Sequence, residues 1–125
     1  MGLDEAAPHV IDIAKSFVAL VRDVEPKWQK GYLRFCSHDL TTEVKASYVH
    51  GGGVEIINTL KHKNFFGSFT KKGKELLAAL GKDRGLFLLV IDSSLNYEIK
   101  FEYQNLERWR ITKLEGASGI PEGLE

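Results

Sequence analysis

Only one of the 125 residues is cysteine, Cys36. An intrachain disulfide is therefore impossible, and a cysteine-rich zinc site is excluded. A lone thiol suits a reducing compartment. Net charge is missing too, because 17 Lys and Arg balance 17 Asp and Glu. Dedicated nucleic-acid binders are usually basic, so neutrality disfavours that class. It also leaves little self-repulsion to oppose association with a protein. Long apolar runs are absent. The most apolar stretch, "GLFLLVI" (residues 85–91), is far too short to span a bilayer. The opening "MGLDEAAPHV" places Asp4 and Glu5 ahead of any apolar run, so no secretory leader is expected and the expected location is cytoplasmic.

What is present is ordinary globular composition, 43% apolar and 27% charged, at a length that suits one domain. Val10, Ile13, Phe17, Leu20, Val21 and Val24 recur at spacings of three and four, which predicts a helix over about 4–24. Asp4 is its expected N-cap and Pro26 its boundary. Three short strands follow over 32–37, 43–50 and 54–58. They are separated by the turn-forming "SHDLTT" and "HGGG" and pair as an antiparallel meander. The irregular "KHKNFFGSFTKKGK" (61–74) reads as a loop. A second helix is expected from about Thr70, its N-cap, to Leu80, with Gly81 as the stop. "LFLLVI" (86–91) does not alternate, which predicts a central strand covered on both faces. "DSSLN" then turns into "YEIKFEY" (97–103), which alternates apolar with charged residues, so the two strands form a hairpin. Residues 104–114 read as a short helix or a last strand, and 115–125 as a loosely held tail. The expected fold is one α+β domain over 1–114. It has an N-terminal helix, an antiparallel sheet of about five strands, and a second helix between strands three and four.

Candidate chemistry is thin. His9, His38, His50 and His62 are scattered, without the convergence that a metal site needs, so no metal and no cofactor are expected. Cys36 would be a nucleophile only beside a base, and its place in an apparent strand favours a buried thiol. "HGGG" has the look of an esterase oxyanion loop but lacks the partner G-x-S-x-G, so it reads as a turn. No phosphate-binding G-x-x-x-x-G-K-[ST] occurs. The basic stretch pairs Lys61, Lys63, Lys71, Lys72 and Lys74 with Phe65, Phe66 and Phe69 and holds no acid. Lysines that follow phosphates and rings that stack on bases would suit single-stranded nucleic acid. The competing reading is a solvated loop whose phenylalanines tuck into the core. Glu98 and Glu102 flank Lys100 on the outward face of the alternating strand. They are separated by about 13 Å, wider than a glycosidase acid pair, and read as a charged surface.

Two segments, "VEPKWQKGYLRF" (24–35) and "LFLLVIDSSLNYEIKFEYQNL" (86–106), resemble the YezG-like immunity proteins. Bacteria make these to neutralise toxins of polymorphic-toxin and contact-dependent inhibition systems. The resemblance covers the strand framework. It implies a compact α+β domain that binds one toxin domain tightly and performs no chemistry. Asp39, Glu43, Asp92, Glu98, Lys100 and Glu102 are then the expected toxin-facing residues, and Trp28 and Trp109 are either anchors or core residues. The alternative is a small single-strand-binding module using Lys61–Lys74, and a third possibility is an enzyme whose residues are too dispersed to recognise.

Overall fold

The apolar stripe read from the first residues does form a helix. In the computed structural model, which describes residues 3–124, α1 spans Leu3–Val24. Asp4 lies inside its first turn rather than ahead of it. Ile13, Phe17, Leu20 and Val21 are wholly buried. Five strands follow the expected pattern: β1 (Lys30–His38), β2 (Thr41–His50), β3 (Gly53–Ile56), β4 (Gly85–Asp92) and β5 (Tyr97–Glu102). Every neighbouring pair is antiparallel, in the order β3-β2-β1-β4-β5. The architecture is the expected α+β domain, with the second helix, α2 (Lys63–Ala79), between β3 and β4. β1, rather than β4, holds the centre of the sheet.

Strand alternation divides the core in two. Leu33 and Phe35 of β1, Ala46 and Tyr48 of β2, and Phe87, Leu89 and Ile91 of β4 pack under α1 and α2. Phe35 and Phe87 stack there with ring centroids 4.9 Å apart. Tyr32 and Cys36 of β1 and Leu86 and Leu88 of β4 point the other way and pack with Trp109 and Ile111. β4 is therefore covered on both faces, which is why its sequence does not alternate.

The second helix departs from expectation at its start. It begins at Lys63, directly after a single 3-10 turn, Thr59–His62, whose cap is Asn58. The stretch expected as a loop is thus its first half. Thr70 lies mid-helix, and its hydroxyl donates back to the Phe66 carbonyl at 3.0 Å. The buried stripe is Phe66, Phe69, Gly73, Leu76 and Leu77, which has proper helical spacing once Gly73 is counted as a core position. Gly73 lies against the Phe35 ring, where an added Cβ would come within 2.3 Å of it. The stop at Gly81 is as expected. Gly81 N–H reaches Ala78 O at 2.9 Å, Lys82 N–H reaches Leu77 O at 2.9 Å, and Gly81 takes a φ of 75°.

Residues 104–113 form neither a helix nor a strand. They turn under the sheet, and the chain to residue 124 lies across its back face. Ile120 and Leu124 pack into the second apolar cluster. The Ser47 hydroxyl, buried, donates to Gly119 O at 2.7 Å, and Glu122 N–H bonds Arg110 O at 3.0 Å. The segment read as a loose tail from its Gly, Pro and Glu content is therefore hydrogen-bonded and packed as far as residue 124.

Candidate functional site

Strand register brings most of the chosen charged residues to one face. Across the back of the sheet, Glu43, Cys36, Leu86 and Glu102 share one row, and Lys45, Arg34, Leu88 and Lys100 share the next. The crossing segment fills the middle of this face. The charges are left along its two sides, one at β2 and one at β5.

Several of these acids are already occupied within the fold. Arg34 is buried, and its guanidinium reaches three acceptors. Nε donates to Arg108 O at 2.9 Å, Nη2 to Leu106 O at 2.7 Å, and Nη1 to Glu43 Oε1 at 3.1 Å. Glu43 thus steadies a clamp on the crossing segment. The clamp also holds Trp109, a bulky residue at φ 57°, where left-handed backbone costs roughly 1–3 kcal/mol. Asp92 builds the β4–β5 turn, its Oδ1 accepting from Ser94 N–H at 2.9 Å and Asn96 N–H at 3.1 Å.

Glu102 caps the end of β5. It accepts from Arg108 Nη1 at 2.8 Å and from the N–H groups of Gln104 and Asn105 at 3.0 and 3.1 Å. The Arg108 bond first, then the two backbone donors, hold its pKa at about 2, below the usual 4.5. A depressed carboxylate stabilises the fold above its unfolded pKa. That contribution fades as pH falls from 4.5 towards 2. Glu102→Gln is expected to flatten the acid limb of thermal stability between those values. An acid limb that superimposes on wild type would show that the carboxylate is not engaged.

Glu98 and Lys100 face outward on β5, 3.9 Å apart at their charged ends. Asp39 stands apart from them, just beyond the end of β1 and two strands away in the sheet. His38 pairs with Thr41, so Asp39 and Leu40 are the two-residue apex of the β1–β2 hairpin. Asp39 takes φ 51°, which aspartate tolerates better than most residues. Its carboxylate is 3.5 Å from His38 Nδ1 and is largely exposed. Leu40 beside it is 104% exposed. The residue escaped sequence reading because "SHDLTT" is otherwise a polar turn. The signal available was an apolar residue at the centre of a tight turn.

The basic stretch is arranged differently from a stacking platform. Phe66 and Phe69 are buried, and Phe65 packs against the same core. Phe66, named above as a base-stacking residue, is therefore a core residue. Lys61, Lys63, Lys71 and Lys74 are exposed on the helix and the turn before it. Lys72 bridges the helices, donating to Ser16 Oγ at 2.8 Å and pairing with Asp12 at 3.3 Å.

Cys36 floors a polar cavity of about 220 Å³ between the hairpin and the crossing segment, with His38, Glu43, Glu107 and Arg110 around it. Burial pushes the thiol pKa up, so it stays protonated at neutral pH, the opposite of nucleophile activation. Trp28 and Trp109 are both buried, which gives them core roles. Among the described residues, no group of three or more His, Cys, Asp and Glu converges to hold a metal ion. No helix among them is long and apolar enough to cross a membrane. Compared with known proteins, the chain matches no family model and no curated protein.

Proposed function

We propose that this chain is an immunity protein that neutralises a cognate bacterial toxin domain in the cytoplasm by stoichiometric binding, with the β1–β2 apex as its inserting element. The observation that carries this reading is the apex itself. Leu40 is fully in water on a two-residue turn held by paired strands, so its side chain contributes nothing to the core. An apolar side chain beside an exposed carboxylate is the kind of anchor that concentrates binding energy when it enters a pocket. If the toxin is a nuclease, its cleft is basic, because its substrate is polyanionic, and Asp39 supplies the opposite charge. The resemblance of residues 24–35 and 86–106 to YezG-like immunity proteins supports the same class.

Growth rescue tests the reading. The C-terminal domain of the reading frame directly upstream is induced in a test bacterium, with and without this protein. Rescue and co-purification in fixed ratio are expected. Leu40→Ala and Asp39→Asn should each weaken binding by about 2 kcal/mol or more with melting temperature unchanged. If the wild type fails to rescue, the immunity reading falls. If both variants rescue at wild-type dose, the apex is not the contact.

A further inference from the structure

Among the described residues β5 is the last strand on its side of the sheet, so one row of its backbone N–H and C=O groups has none of their strands beside it. Natural edges of this kind are blunted by proline, bulges, very short strands or charged side chains, lysine above all. β5 uses only the last of these. Its six residues contain neither Pro nor Gly, and its register with β4 is unbroken. Its outward charges alternate in sign as Glu98, Lys100 and Glu102.

That alternation complements itself in one register. When two copies of β5 pair antiparallel about a two-fold axis through Ile99, Glu98 faces the partner's Lys100, and Lys100 faces the partner's Glu98. Moving the axis to Lys100 sets lysine against lysine and Glu98 against the partner's Glu102, and like charges directly opposite are destabilising. Moving it to Phe101 needs Glu102, whose carboxylate is already held by Arg108 and two backbone donors. The Ile99 register also covers apolar surface on the helix side. Tyr97 comes opposite the partner's Phe101, and Leu95 lies beside the partner's Tyr103. Leu95 and Tyr97 are each 49% exposed here and edge an apolar cavity of about 340 Å³ with Ile11 and Val18 of α1. Zero net charge leaves the approach of a second copy unopposed.

We propose that the occupant of this edge is a second copy of the chain, joined through β5 with Ile99 on the axis, so that one sheet runs through both subunits. The dimer edge lies two strands away from β1 in the sheet and leaves the β1–β2 apex free, so it stands or falls independently of the toxin-binding reading.

Sedimentation equilibrium of the purified full chain over the micromolar range is the test. Wild type is expected to dimerise. Glu98→Lys and Lys100→Glu, each alone, place like charges opposite one another twice and should raise the dimer Kd about tenfold or more. The double exchange Glu98→Lys with Lys100→Glu restores both pairs and should restore self-association, while mixing it with wild type yields no heterodimer. Circular dichroism melts keep folding separate from association, since these side chains face outward. A wild-type chain that stays monomeric overturns the proposal. So does a dimer whose Kd is indifferent to either single exchange, or a double exchange that pairs with wild type as well as with itself.

Discussion

Replacing Gly73 with alanine is expected to lower the stability of this protein. On an open helix the same change stabilises by about 1 kcal/mol. The sign reverses here because of what lies opposite. A Cβ at position 73 would meet Phe35 Cε2 at 2.3 Å. The Phe35 ring is almost wholly buried and stacked on Phe87, so it has nowhere to retreat. Forcing a methyl group into a filled core costs roughly 1–3 kcal/mol in displaced side chains and backbone. Gly67 in the same helix is the internal control, since a Cβ there meets nothing within 4 Å. Gly67→Ala should therefore gain about 1 kcal/mol where Gly73→Ala loses, and urea denaturation of the two variants reads the difference directly. Phe35→Leu combined with Gly73→Ala should recover part of the loss, because the two positions share a contact. If both alanine variants stabilise equally, α2 does not rest on Phe35.

The second large effect is expected at Arg34. Arg34→Met keeps much of the side chain's bulk but removes the donors to Leu106 O, Arg108 O and Glu43. An abandoned buried acceptor costs roughly 1–3 kcal/mol, so a loss of about 3 kcal/mol is expected with two carbonyls stranded. The damage should be local before it is global. The crossing segment loses its clamp, and trypsin should cut at Arg108 and Arg110 faster than in the wild type. Arg34→Lys should be nearly as damaging, because an ammonium cannot reach three acceptors in the fork geometry of a guanidinium. A lysine variant with wild-type stability and wild-type proteolysis would show that the guanidinium fork is not what holds the segment.

These two positions also mark where sequence reasoning succeeded and failed. The α1 stripe, the β1–β2–β3 meander and the β4–β5 hairpin were legible because each carries a local period or turn chemistry. The first half of α2 was not. Its buried positions are only Phe66 and Phe69, set among lysines and Gly67, which counts as a helix breaker by propensity, so no sustained period shows there. Residues 104–124 were illegible for a related reason. Their carbonyls are satisfied by Arg34 and Ser47, each about seventy positions away in sequence, and no local pattern reports a partner at that distance. Among the candidate site residues, Glu43, Asp92 and Glu102 looked free because charge is visible in a sequence and occupancy is not. Leu40 was overlooked because a single apolar residue in a polar turn leaves no periodic trace.

The segment that crosses the back face has a consequence for synthesis. The residues that cover Tyr32, Leu86 and Leu88, Trp109 and Ile111 among them, all follow the five strands in the chain. A chain interrupted between residues 103 and 110 would keep that face bare permanently, with its helices and strands intact and Arg34 short of its carbonyl partners. Such a product is expected to behave as a sticky fragment rather than an unfolded one. Quality control in the cell would then recognise exposed surface before it met any loss of secondary structure.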